Sequence, residues 1–111
     1  MDRVKDYGEL VKRLLDEYAA YIPPTEGVEV EKIYDDLHGH YELLYVGWEK
    51  KHRVHGMVLH VDIREGKIWI QHDGTEDGIA KELVEAGVPK EHIVLAFHAP
   101  YKRPYTGYAV A

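Results

Sequence analysis

The sequence contains no cysteine, no serine and no asparagine, and these absences exclude several classes of protein. Without thiols the chain can form neither a disulfide scaffold nor a cysteine-ligated zinc site. Hydrolases with a serine or cysteine nucleophile are excluded because the attacking atom is missing. Any chemistry would come from histidine, carboxylates or tyrosine. We expect a protein that is not an enzyme and that uses no cofactor.

The chain also lacks a long apolar run and an excess of basic residues. No apolar stretch approaches the roughly 20 residues of a membrane-spanning helix, and the start Met1-Asp2-Arg3 does not resemble a signal peptide. We therefore expect a cytoplasmic protein that does not enter a membrane. Fourteen Lys and Arg stand against 20 Asp and Glu, a formal net charge of −6. This charge makes direct binding to the DNA phosphate backbone doubtful.

What the sequence does contain is typical of one small globular domain. The 111 residues are 45% hydrophobic and 31% charged, a balance that favours a folded chain over a disordered one. A chain of this length can bury a single core. We expect one domain over residues 1–111.

Hydrophobic periodicity predicts a fold of the α+β class. Apolar residues recur at three- and four-residue steps over residues 2–21, which predicts an amphipathic N-terminal helix. Pro23 and Pro24 end that helix because neither can extend the hydrogen-bond ladder. From residue 28 to 71 the period falls to two, which indicates an antiparallel β-meander of about four strands.

The remainder of the chain predicts a second helix, a short C-terminal strand and a tail. Thr75 is the predicted N-cap of the second helix, and Gly87 is the residue that ends it. A short buried strand follows over residues 93–97, and the tail begins after Pro100. Helices packed on one face of the sheet complete the predicted architecture.

The best-defined prediction is a hairpin with Glu65-Gly66 as its two-residue turn. Its register places Asp62 opposite Trp69 and His60 opposite Gln71, so these side chains share a mixed face. That face also includes Val58. The opposite face is apolar throughout and is the predicted core face, with Met57, Leu59, Val61, Ile63, Ile68 and Ile70.

The mixed face of this hairpin offers a candidate polar site formed by His60, Asp62 and Gln71. An imidazole beside a carboxylate can act as an oriented general base or hold a metal ion. The interpretation that we favour is an ordinary polar sheet face, covered by the N-terminal helix, a partner or water, because the sequence places no third ligand beside the pair.

Other histidines lie at or next to predicted turns, as His38-x-His40 and His52-x-x-His55. A metal ion needs three or four converging ligands, and the sequence has no HExxH pattern. We expect these side chains to be solvated and predict no metal site.

The tail interleaves aromatic and basic residues, in the order Tyr101, Lys102, Arg103, Tyr105 and Tyr108. Three interpretations stay open for it. The tail can pack on the protein's own sheet, it can anchor a protein partner, or it can stack on single-stranded nucleic acid. The acidic net charge counts against the last of these.

A family resemblance rests on one strand–turn–strand segment and on the motifs that flank it. The segment is His60-Val-Asp-Ile-Arg-Glu-Gly-Lys-Ile-Trp-Ile-Gln71. The flanking motifs are Val46-Gly-Trp48, Arg53-Val-His-Gly56, Asp73-Gly-Thr-Glu76, Ala80-Lys-Glu-Leu-Val84, Gly87-Val-Pro-Lys90 and the ending Phe97, Pro100, Arg103, Thr106, Ala109 and Val110. In this order they resemble the XisI family, the fdxN element excision controlling factors of cyanobacteria and other bacteria.

The resemblance implies a control or accessory role in the programmed excision of a DNA element, with no catalytic residues to carry over. Members of the family are commonly paired with XisH, a nuclease-like companion, so a XisH-like protein is the expected partner. The predicted partner-binding residues are Trp48, Trp69, Tyr101, Arg103, Tyr105 and Tyr108. Two alternatives stay open: a small metal- or ligand-binding protein or enzyme that uses His60 and Asp62, and a DNA-binding directionality factor. A homo-oligomer formed through an exposed sheet face or edge also stays open.

Overall fold

The fold of the chain is one five-stranded sheet with two helices on the same face, and this confirms the predicted α+β class. The structure is a computed structural model that describes residues 3–111, so Asp2 of the predicted first helix lies outside the described residues. The helices are α1 (Arg3–Tyr21) and α2 (Ile79–Glu85), and short 3-10 turns cover Lys90–His92 and Pro100–Tyr105. The strands are β1 (Val28–Asp35), β2 (His40–Glu49), β3 (His52–Arg64), β4 (Lys67–Asp73) and β5 (Ile93–Leu95). No helix within residues 3–111 is both long and apolar enough to cross a membrane.

The strands lie in the sheet in chain order, from β1 to β5. The first four form the predicted antiparallel meander, whereas β5 pairs parallel to β4. A parallel neighbour requires a crossover connection, and α2 lies in that connection. The turn between β3 and β4 is the predicted one, because Glu65 and Gly66 have φ angles of 51° and 73°, as a type I′ turn requires.

The core lies between the two helices and one face of the sheet. Val11, Leu15 and Leu83 contribute from the helices, and all three are inaccessible to solvent. From the sheet the fully buried members are Leu43, Leu59, Val61, Ile68, Ile70 and Ile93. The predicted core face of the hairpin is therefore confirmed for Leu59, Val61, Ile63, Ile68 and Ile70.

Strand β3 departs from simple pairing at a bulge on the side of β2. Leu43 pairs with Leu59, but Leu44 pairs with Met57, so Val58 is an extra residue in β3. A bulge shifts the alternation by one residue. Val58 consequently points into the core, where it is 3% exposed, and Met57 lies on the other face. The sequence assignment of these two residues was wrong for this reason.

A second bulge lies between β3 and β4. The predicted register holds from Arg64–Lys67 to Val61–Ile70, but His60 then pairs with His72 because Gln71 is an extra residue in β4. The prediction that His60 lies opposite Gln71 was therefore wrong.

The second helix begins later than the sequence predicted. Thr75 is not its N-cap, since α2 begins at Ile79 and Gly78 occupies the capping position. The carboxylate of Asp73 accepts hydrogen bonds from the backbone N–H groups of Thr75 and Ile79, so the segment between them forms a turn. Gly87 ends the helix as predicted, with a φ of 104° that favours glycine.

Candidate functional site

The sheet face opposite the helices carries a group of polar side chains, and we call this side of the sheet the open face. The pairing places His40 opposite Asp62 and Glu42 opposite His60. Because directly opposed residues of an antiparallel pair share a face, these four side chains lie together. Gln71 joins them from the bulge in β4.

Asp62 is the centre of this polar group. Its Oδ1 atom lies 2.8 Å from His40 Nδ1 and 2.9 Å from His60 Nε2. Its Oδ2 atom accepts a hydrogen bond of 3.3 Å from Gln71 Nε2. The Asp62 side chain is only 9% exposed, and a buried carboxylate without partners would cost several kcal/mol. Three polar side chains therefore hold this carboxylate in place.

The two histidines differ in their exposure to solvent. The side chain of His40 is 51% exposed and that of His60 is 27% exposed. The hydrogen bond from His40 to Asp62 raises the pKa of His40 above its ordinary value, although partial burial opposes the change. Glu42 places a second carboxylate oxygen 3.5 Å from His60 Nε2. The carboxylates of Asp62 and Glu42 thus both favour a positive charge at this site.

The bulge at Val58 is what brings His40 to this site. If the pairing continued unchanged from Glu49–His52 at the turn, His40 would lie opposite Val61, whose side chain is in the core. The extra residue moves the register by one, so that His40 lies opposite Asp62 instead. Bulges commonly redirect side chains beside functional sites.

Part of this group could be predicted from the sequence. His60, Asp62 and Gln71 come together as predicted, whereas His40, which belongs to the group, was assigned to the solvated turn histidines. His38 instead pairs with Asp35 at 2.8 Å, away from the group. Two imidazole nitrogens and a carboxylate oxygen that converge in this way can bind a transition metal ion or orient a proton acceptor.

The two tryptophans predicted to bind a partner lie in different places. The Trp69 ring packs against the guanidinium groups of Arg64 and Arg103, which lie 4.8 and 5.7 Å from its centroid. Trp48 is 54% exposed and packs against Arg53 near the β2–β3 turn. Trp69 lies in register with Asp62 and His40. Trp48 lies eight residues further along β2 than His40, which is roughly 26 Å of extended strand. The structure therefore does not bring the two tryptophans together.

The tail packs on the body of the protein. Arg103 donates hydrogen bonds to the carbonyl oxygens of Ala96 and His98, at 3.2 and 3.0 Å. Ala109 donates its N–H to the carbonyl of Ile93 in β5, at 2.9 Å. This selects the first of the three interpretations of the tail as its conformation in the isolated chain.

The aromatic residues of the tail divide into one that faces inward and two that face solvent. Tyr108 packs partly buried against the core, and Lys90 lies over its ring. Tyr101 and Tyr105 are 73% and 89% exposed. Tyr101 and Tyr105 are therefore the aromatic residues of the tail that are available to another molecule.

Comparison with known proteins identifies relatives along the whole chain. The family model described as XisI protein matches residues 1–110. A solved structure of a XisI-like protein from Anabaena variabilis ATCC 29413 is 47% identical and covers 97% of this chain and 99% of its own, with a TM-score of 0.94. The fdxN element excision controlling factor XisI from the same organism is 33% identical, with coverages of 99% and 100% and a TM-score of 0.88. A search of curated proteins finds no match.

Proposed function

This chain belongs to the XisI family, and from that premise we propose that it is a control factor in the excision of a DNA element. The observation that carries the proposal is its likeness to the fdxN element excision controlling factor XisI, at 33% identity over the full length of both chains. Identity at this level along one complete fold supports a shared role for the two proteins.

The control is exerted by binding a protein partner and not by catalysis. Three aromatic side chains on the C-terminal segment, Phe97, Tyr101 and Tyr105, are between 49% and 89% exposed. Exposed aromatic residues anchor protein interfaces. Arg103 and Ala109 already fix this segment to the body, so binding would cost little additional ordering entropy.

The proposed partner is a nuclease-like protein of the XisH type. A protein that handles DNA presents basic surface to the phosphate backbone. The formal net charge of −6 on this chain would favour encounter with such a surface and would disfavour contact with DNA itself. Charge complementarity thus supports a protein partner.

Co-purification of the chain with the XisH-like protein encoded beside it tests this proposal. We expect the wild-type pair to associate, and we expect Tyr101→Ala and Tyr105→Ala each to weaken binding about tenfold, the effect of losing an interface anchor. Tyr21→Ala is the matched control, since Tyr21 is 84% exposed but lies at the end of α1. Absence of association in the wild type, or an equal loss with Tyr21→Ala, would contradict the proposal.

Direct binding to DNA is the weaker alternative, and an electrophoretic mobility shift at physiological salt separates it from the first. The basic side chains beside the tryptophans have other contacts, as Arg103 donates to backbone carbonyls and Arg64 lies over the Trp69 ring. We expect no shift of duplex DNA by this protein alone. A shift that weakens steeply with added salt would favour the DNA-binding alternative.

A further inference from the structure

Three candidate ligand atoms converge on the open face of the sheet. His40, His60 and Asp62 each offer one atom, and the three atoms lie within 4.8 Å of one another. Within residues 3–111 this is the one group of three or more such side chains with that spacing. We propose that His40, His60 and Asp62 form a binding site for a divalent first-row transition ion, with Zn²⁺ as the probe. The site goes beyond the proposed control function.

The chemistry of the three donors selects the class of metal. Two imidazole nitrogens and one carboxylate oxygen suit zinc and its first-row neighbours, whereas magnesium and calcium prefer oxygen donors alone. Three protein ligands leave a fourth position on a tetrahedral ion. Glu42 places an oxygen 3.5 Å from one of the three ligand atoms, His60 Nε2.

The Asp62 carboxylate is held by a residue outside the group of three ligands. Gln71 donates to Oδ2 of Asp62, the oxygen that neither histidine contacts, and so fixes the direction of Oδ1. A ligand held by a second hydrogen bond is a regular feature of metal sites. Together with the burial of Asp62, this makes the carboxylate the rigid member of the group.

Charge also favours a cation at this position. Asp62 and Glu42 are two carboxylates, while the two imidazoles are neutral when they act as metal ligands. A divalent ion would take the place of the hydrogen bonds that join His40 Nδ1 and His60 Nε2 to Asp62, and each neutral imidazole would keep its one proton on its other ring nitrogen.

The geometry requires a small adjustment to admit the ion. Ligand atoms of a tetrahedral zinc site lie about 3.3 Å apart when each bond is about 2.0–2.1 Å. Here Asp62 Oδ1 lies 2.8 and 2.9 Å from the two histidine nitrogens. His40 is half exposed at the first residue of β2, so its ring can move outward by this amount without disturbing the core.

Isothermal titration calorimetry tests the site: the full chain is first treated with a chelator to remove metal and is then titrated with Zn²⁺. We expect one ion per chain, and we expect His40→Ala and His60→Ala each to weaken binding at least tenfold. His55→Ala is the matched control, because His55 is an exposed histidine on the same strand and face as His60 but outside the group. Its affinity should equal that of the wild type.

Two results would overturn the proposal: no heat of binding in the wild type, or the same affinity in all three variants. Circular dichroism in the presence of chelator checks that each variant is folded. If His60→Ala does not fold, the half-exposed His40→Ala decides the outcome alone. A visible absorption band of tetrahedral Co²⁺ should appear in the wild type and be lost in His40→Ala, and its absence in the wild type would count against the three-ligand site.

Discussion

The two faces of strand β3 show two different uses of the same strand. On the core face Leu59, Val61 and Ile63 pack under the helices and are at most 7% exposed. On the open face Asp62 is held by hydrogen bonds to His40 and Gln71 on the two neighbouring strands and to His60 on its own strand. Apolar burial is the main source of folding free energy, whereas a buried polar network contributes little net stability.

This difference indicates where function resides. The fold requires the core face, whereas the strand pairing of Asp62 with His40 and Trp69 is made by the backbone and does not depend on a carboxylate at position 62. A carboxylate that is 9% exposed and needs three partners is therefore better explained by binding than by folding. Substitutions on the two faces should separate stability from ligand binding.

The largest loss of stability is expected from Leu59→Ala on the core face. Removing a fully buried leucine side chain leaves a cavity and costs about 2–5 kcal/mol. Urea unfolding measures the change, and Leu37→Ala is the control because Leu37 is 85% exposed. An effect of Leu59→Ala within about 0.5 kcal/mol, the range typical of surface substitutions, would contradict the assignment of the core face.

A smaller loss is expected from Asp62→Ala on the open face, measured with chelator present. The substitution leaves His40, His60 and Gln71 without their shared acceptor, at a cost of about 1–3 kcal/mol. Glu31→Ala is the control, as Glu31 is an exposed carboxylate on the same face in β1. If Asp62→Ala is as stable as the wild type or more stable, the network does not hold this part of the sheet.

The smallest effect is expected from the protonation of His40. Its pKa in the folded protein is raised, first by the hydrogen bond to Asp62 and then by the nearby carboxylates of Asp35 and Glu42. A group with a raised folded pKa stabilises the protein fully below its unfolded pKa of about 6.5. That contribution is lost as the pH rises through the folded pKa.

Comparison of the wild type with His40→Gln across pH 5 to 9, without metal, measures this effect. The difference in the free energy of unfolding should be largest near pH 5 and should close at alkaline pH. His60 contacts the same Asp62 oxygen, so the experiment is repeated in a His60→Gln background to isolate His40. A difference that grows as the pH rises would contradict the interpretation.

The elements of the fold could be predicted because they follow local rules. Period-two alternation, the Glu65-Gly66 turn and the prolines after α1 each act within a few residues. The bulges could not be placed in the same way. Met57-Val58-Leu59 is a run of three consecutive apolar residues, which strict alternation would divide between the two faces. Such a run in a strand is compatible with a bulge that places two neighbouring residues on the core face, as it does for Val58 and Leu59.

Only the part of the site that lies on one strand could be predicted, because only that part follows from a local rule. His60 and Asp62 are two residues apart on one strand, so their shared face follows from the strand period alone. His40 joins them only through the register between β2 and β3, which the bulge at Val58 changes. The docking of the tail likewise depends on hydrogen bonds from Arg103 to backbone carbonyls. Every residue has such a carbonyl, so the sequence does not indicate which ones accept.

The most direct test of a ligand site on the open face is nuclear magnetic resonance of the histidine side-chain nitrogens as one equivalent of Zn²⁺ is added. We expect changes confined to two of the eight histidines, with coordination through Nδ1 of His40 and Nε2 of His60. The signals of His38, His55 and the others should remain where they are. Changes spread over all the histidines, or no change at His40 and His60, would show that these two side chains do not form a metal site.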